Sequence, residues 1–161
     1  MTFKRSLLAF AAALLLSGAA VAQEAPPGYG APITLDAAKK IIAAAEAEAK
    51  KNNFTMVITI LDPGANIVAM ERMDGTQLGS IDVAAGKAST AVKFKRATKV
   101  MQDAIAAGGD GLRFLSLPVT AVEGGELLIS GGKIVGSIGV SGGSSAQDGQ
   151  VARAGVAALG K

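Results

Sequence analysis

Residues 55–73 read TMVITILDPGANIVAMERM. Apolar and β-branched residues fill TMVITILD (55–62) and NIVAMERM (66–73), and Pro63-Gly64-Ala65 separates them. Short runs of this composition form strands. The proline presets one φ of the turn, and the glycine is expected to take a positive one. The stretch is therefore a hairpin, closed beyond Arg72 by a further turn at Met73-Asp74-Gly75. A second hairpin follows the same logic: ELLIS (126–130) meets KIVGSIGVS (133–141) across Gly131-Gly132, a pair typical of primed two-residue turns. Gly136 and Gly139 interrupt its second strand, which predicts close approach of another backbone or side chain.

Helical patterns surround the hairpins. Thr34 is placed to cap a helix whose Ala37, Ile41, Ile42, Ala45 and Ala49 recur at helical spacing, with Asp36 in its first turn and its end near Asn52-Asn53. Residues 79–107 carry an alanine-rich stripe that falters at Phe94-Lys95-Arg96. This predicts two helices with a bend, with Thr98 placed to cap the second and one long helix as the alternative. Residues 108–124 read as a loop. Ala146–Leu159 reads as a last helix, although Gly155 weakens it. Two hairpins without βαβ crossovers imply an α+β domain, a mainly antiparallel sheet with helices packed on it.

The first 22 residues have a different purpose. Lys4 and Arg5 precede the apolar LLAFAAALLLSGAAVA, which ends in Ala20-Val21-Ala22. A basic start, a short apolar run and an A-x-A site describe a secretory signal peptide, with cleavage expected after Ala22. The apolar run is shorter than the ~20 residues of a membrane-spanning helix, so a periplasmic or secreted bacterial protein is expected, with no membrane span after cleavage. Gln23–Pro32, with three of the five prolines, reads as a flexible leader. Of the 16 basic residues, Lys4 and Arg5 leave with the signal, so 14 then face 13 acids and the net charge falls from +3 to +1. A general case for nucleic-acid binding goes with it.

Two absences narrow the chemistry. The chain has 0 cysteines and 0 histidines. Disulfides, thiol nucleophiles, Ser-His-Asp triads, HExxH zinc sites and a proximal-histidine haem ligand are all excluded. The glycine-rich IVGSIGVSGGSSAQDGQ (134–150) invites a phosphate-binding reading, but no lysine follows Ser141-Gly142-Gly143, and G-x-G-x-x-G is missing from 136–143. It reads as a tight strand-to-helix corner capped by Ser144 or Ser145, with anion binding as the less favoured option.

In order and spacing, four pieces, VITILDPGANIVAMERMDG, SIDVAAGKASTAVKF, a following GG and IVGSIGVSGGSSAQDGQVARAGVAAL, resemble the GlcG/HbpS-like family, also called the haem-degrading domain. The resemblance covers residues 33–160. It implies a two-layer fold of the profilin or PAS type, self-association into dimers or larger oligomers, and, for exported members, binding of haem. The family also occurs as the C-terminal domain of some corrinoid adenosyltransferases, so membership specifies fold better than function. Without histidine, any axial ligand is a weaker or unusual one, such as Thr90 or Thr98 oxygen, the sulfur of Met70, Met73 or Met101, or a neutral lysine; the alternative is haem held mainly by apolar contact and propionate pairing.

Several residues stand out as ligand-binding candidates. Lys87 lies among small apolar residues, where a lysine implies pairing or ligand contact, and the family pattern has a lysine there. Its neighbours Lys93, Lys95, Arg96 and Lys99 read as a solvated helical face. Arg72 and Asp74 bracket a turn and would either orient an anion or pair with each other. Asp62 and Asp148 read as turn and helix-start residues. The leading expectation is an apolar haem pocket rimmed by Arg72, Lys87 and the backbone around Gly125 and Ser141-Gly142. The rival is an enzyme or accessory protein for a small carboxylate or hydroxy acid, held by Arg72 and Lys87 with Asp74 or Ser141 assisting. No base–nucleophile pair supports catalysis. A third option is a non-catalytic oligomeric module, which the alanine-rich helix faces would suit.

Overall fold

The computed structural model describes residues 25–160; the expected signal peptide and its cleavage point lie outside the described residues. In chain order the elements are α1 (Leu35–Lys51), β1 (Val57–Leu61), β2 (Ile67–Arg72), α2 (Ser80–Phe94), α3 (Thr98–Ala107), a 3₁₀ segment (Gly109–Ser116), β3 (Gly125–Ser130), β4 (Lys133–Ser141) and α4 (Ser145–Val156). The four strands form one sheet in the order β2-β1-β4-β3, with every pair antiparallel. Both hairpins and the α+β class are as the sequence implies.

The layering differs from the two-layer expectation. Register pairs Ile58 with Val140 and Ile60 with Ile138, and these four side chains share a core with Ile41 and Ala45 of α1 and Val151 of α4. The alternate residues Thr59, Ser137 and Gly139 face α2 on the opposite side. There the Ser137 hydroxyl donates to Ala88 O at 2.8 Å, and a Cβ on Gly139 would strike the backbone of Ala84 and Ala88. Helices therefore cover both faces, making three layers. The interruption at Gly139 is the close approach foreseen for it: without a side chain there, an alanine helix can lie directly on β4.

Local corrections have physical causes. In the first turn the positive φ falls on Ala65 (65°) rather than on Gly64; Asp62 Oδ1 accepts the Asn66 N–H at 2.9 Å and sets that geometry. The Gly131-Gly132 turn has φ of 54° and 72°, as a primed turn requires. The bend after α2 is real, with Lys95 left-handed at φ 53°, but Ala97 is the cap of α3 and makes no side-chain cap bond. Thr98 is instead fully buried and bonded to Gly125. The 108–124 loop contains the 3₁₀ segment, and α4 stops at Val156 instead of continuing to Leu159. The leader is pinned at its end: Tyr29 bridges Ile134 and donates its hydroxyl to Val92 O at 2.9 Å.

Candidate functional site

Lys87 lies on the α2 face that meets the sheet and is 1% exposed. Its Nζ donates to Asp148 Oδ2 at 2.6 Å and to Val140 O at 3.0 Å. The second Asp148 oxygen accepts the Gly143 N–H at 3.0 Å. Burial pushes the Asp148 carboxyl above the ordinary aspartate range, and the Lys87 ammonium and the Gly143 N–H pull against it. Gly124 makes room for this pair. It takes φ 123°, and a Cβ there would press on Lys87 Nζ, Val140 O and Asp148.

This geometry resolves the glycine-rich corner. An inward amide that would greet an external anion is held by the chain's own carboxylate. Ser144 caps α4 in a reciprocal box with Gln147, which supplies the rest of the turn. Lys87 has an internal counterion, as a lysine among small apolar residues requires. Its partner was unreadable, since Asp148 lies 61 residues away and looks like an ordinary helix-start acid.

The other candidates divide into separate places. Ser141 is 5% exposed and its hydroxyl bonds to Ser80, at the start of α2. Gly142 lies against the backbone of Thr55 and Met56. Thr90 is 3% exposed and accepts the Thr120 N–H at 2.9 Å. Gly125 donates its N–H to Thr98 at 2.9 Å. Arg72 ends β2 on its exposed side, with Asp74 in the turn beyond it, and no ion pair joins the two. Asp62 is held below the ordinary range, chiefly by the Asn66 N–H. Lys99 bonds to Asp103 in an exposed i, i+4 pair, as a solvated face would. Thus Lys87 and Arg72 do not rim a common pocket: one is sealed in the interior and the other is on the surface.

A cleft of about 240 Å³ opens elsewhere, between α1 and β2, lined by Lys39, Ile42, Glu46, Ala69, Met70 and Glu71 among others. Partial burial and the neighbouring Glu46 carboxyl raise the Glu71 pKa. Its volume is below the ~300–1,000 Å³ of ligand pockets, so it encloses no tetrapyrrole. Among the described residues no group of three or more acids is arranged to hold a metal, and no helix is long and apolar enough to cross a membrane.

Of the sulfur candidates, Met101 is fully buried and Met73 packs against the main core, whereas Met70 is 36% exposed. Among the described residues the buried side-chain oxygen without a hydrogen-bond partner is Thr59 Oγ1, and Thr59 pairs in register with Met70. A soft donor and an unfinished polar atom thus sit side by side on the α2 side of β1 and β2.

Comparison with known proteins bears on this arrangement. Protein GlcG of Escherichia coli (strain K12) is 38% identical over 105 residues, which is 65% of this chain and 77% of GlcG. The crystal structure of a Streptomyces reticuli HbpS double mutant superposes with a TM-score of 0.73 at 30% identity, covering 95% of this chain and 100% of that one. That of a PduOC:haem complex superposes at 0.71 with 28% identity, covering 79% and 94%. The family model described as haem degrading protein HbpS-like matches residues 33–157, nearly the whole described domain, and the chain therefore belongs to the HbpS-like family.

Proposed function

We propose that this protein binds haem or a closely related tetrapyrrole outside the cytoplasm, without a histidine ligand. The observation that carries the proposal is the match of the whole domain to a family named for haem, together with a solved relative crystallised as a haem complex. The residues present suit such a ligand in one respect: a partly exposed thioether and a surface guanidinium occur on one strand. They do not provide an enclosed pocket. A planar ligand would therefore lie on a surface, and self-association of the chain would complete its burial. Exposed Leu112, Leu115, Leu117 and Val122 supply apolar surface for that association.

Titration of the purified protein with hemin tests the reading. A saturable Soret shift at micromolar protein is expected, and no shift beyond that of an inert protein would sink it. A thermal-shift panel of small hydroxy acids is the matched control; stabilisation by one acid and not by hemin would instead support a carboxylate-binding protein. Export is checked by the mass of the protein recovered from a bacterial periplasm, expected to begin at Gln23. Light scattering checks self-association, with a mass above that of one chain expected.

A further inference from the structure

We infer that the cleft between α1 and β2 binds a short ω-amino acid, its carboxylate paired with Lys39 and its ammonium held between Glu71 and Glu46. This site is separate from any tetrapyrrole surface and does not depend on the haem-binding reading.

Register and helix spacing build the cleft. Ala69 pairs with Ile60 and Glu71 with Ile58, so both face the side of the sheet that α1 covers. On α1, Lys39, Ala43 and Glu46 recur at i, i+4 and i+7 and line the cleft as one stripe. Ile42, in the main core, and Ala69, packed against it, give an apolar floor. Small side chains at Ala43 and Ala69 leave a space of about 240 Å³. With ~30 Å³ as the share of one water in the liquid, that is room for roughly eight non-hydrogen atoms.

The charges at its ends point to the ligand. Lys39 and Glu71 line the same cleft, yet neither joins an ion pair among the described residues. Glu46 is paired with Lys50 at 2.7 Å. Two helical turns, about 10 Å, separate the backbone of Lys39 from that of Glu46. A cation therefore stands at one end and two carboxylates at the other. Those carboxylates are crowded: partial burial and Glu46 raise the Glu71 pKa, Lys50 opposes them, and Ile58 beside Glu71 on β1 brings no charge. An ammonium between the carboxylates relieves their repulsion, and a carboxylate at the far end answers Lys39. A singly charged ligand satisfies one end only. In an α-amino acid the two charges are adjacent, whereas methylenes between them would lie along Ile42 and Ala69.

The test is calorimetric titration of the purified protein, at low salt, with the unbranched ω-amino acids of three to six carbons. Pentanoate, pentylamine and norvaline, the α-isomer of the five-carbon acid, are the controls. At least one ω-amino acid is expected to saturate the protein at millimolar concentration or below, and each control to bind about tenfold more weakly or worse. Binding should weaken as pH falls and Glu71 takes up its proton. Lys39→Gln and Glu71→Gln are each expected to lower affinity about tenfold, through loss of a charge-assisted contact. Both side chains are exposed, so thermal melting no lower than that of the parent is expected in the variants. No saturation by any ω-amino acid, equal affinity for any control, or parental affinity in either variant overturns the site. Each of these results leaves the haem-binding reading untouched.

Discussion

On the α1–α4 side of the sheet Ile58, Ile60, Ile138 and Val140 meet Ile41, Ala45 and Val151 in an apolar core, whereas on the other side the same strands offer Thr59, Ser137, Gly139 and Ser141 to an alanine-lined helix. The first face is stabilised by area removed from water, at roughly 25 cal/mol per Å², and has no polar partners to satisfy. The second gains less from area. It depends on backbones coming close and on each polar group finding its partner: Ser137 with Ala88, Ser141 with Ser80, Lys87 with Asp148. It is also uneven, since α2 packs on β4, β1 and β3 with no comparable packing on β2. Stability is thus concentrated on one side and specificity on the other.

The contrast is most severely tested at Lys87. Removing it by Lys87→Ala would strand the buried Asp148 carboxylate, and a loss of about 3–5 kcal/mol is expected in urea unfolding. Lys87→Met with Asp148→Leu should recover most of that loss, because an uncompensated charge is costlier than none. If the single variant costs no more than a surface substitution, the α2 side owes nothing to the pair. Next comes Gly139→Ala. The new methyl would push α2 off β4, and an overpacking cost of about 1–3 kcal/mol is expected. An alanine of full stability there would mean that the helix has room to move.

Ser144→Ala probes the corner that holds Gly143 against Asp148. Loss of the capping box should lower stability by about 1 kcal/mol, read as a shift in urea midpoint. The smallest effect is expected at the seam between α1 and β2. The Glu71 pKa is raised in the folded protein by partial burial and by Glu46, so the folded state keeps its proton to a higher pH than the unfolded chain does. Stability from this group is present at low pH and declines as pH rises through the interval between the unfolded and the raised value. Glu71→Gln should remove that decline and stabilise at neutral pH by less than about 0.5 kcal/mol, since the group is largely solvated and screened. A steeper pH dependence in the variant would contradict the direction of the shift.

The site was partly legible in the sequence. Lys87 stood out because its neighbours are small and apolar, and Met70 was among the possible donors because the chain lacks histidine and cysteine. The sequence could not show that Lys87 is occupied and Met70 accessible. Both depend on which residues face each other across the sheet, and the Lys87–Asp148 and Met70–Thr59 juxtapositions join segments that are far apart or alternate in facing. Thr98 shows the same limit. Its place before a helical run predicted a cap, yet its hydroxyl is used by Gly125 from a strand 27 residues away.

By itself, the order of residues determined what depends on neighbours within a few positions: the two hairpins, the helix runs, the break at Phe94-Lys95-Arg96, a serine cap at Ser144 or Ser145, and the chemistry ruled out by missing residue types. Backbone geometry and side-chain periodicity act over that range, so the pattern is sufficient. Only the tertiary structure decided that helices take both faces of the sheet, that Lys87 is paired with Asp148 in the interior, and that Ile67 and Met70 of β2 stay exposed. Those outcomes follow from strand register and helix placement, and a chain sequence does not display which distant groups a fold will bring into contact.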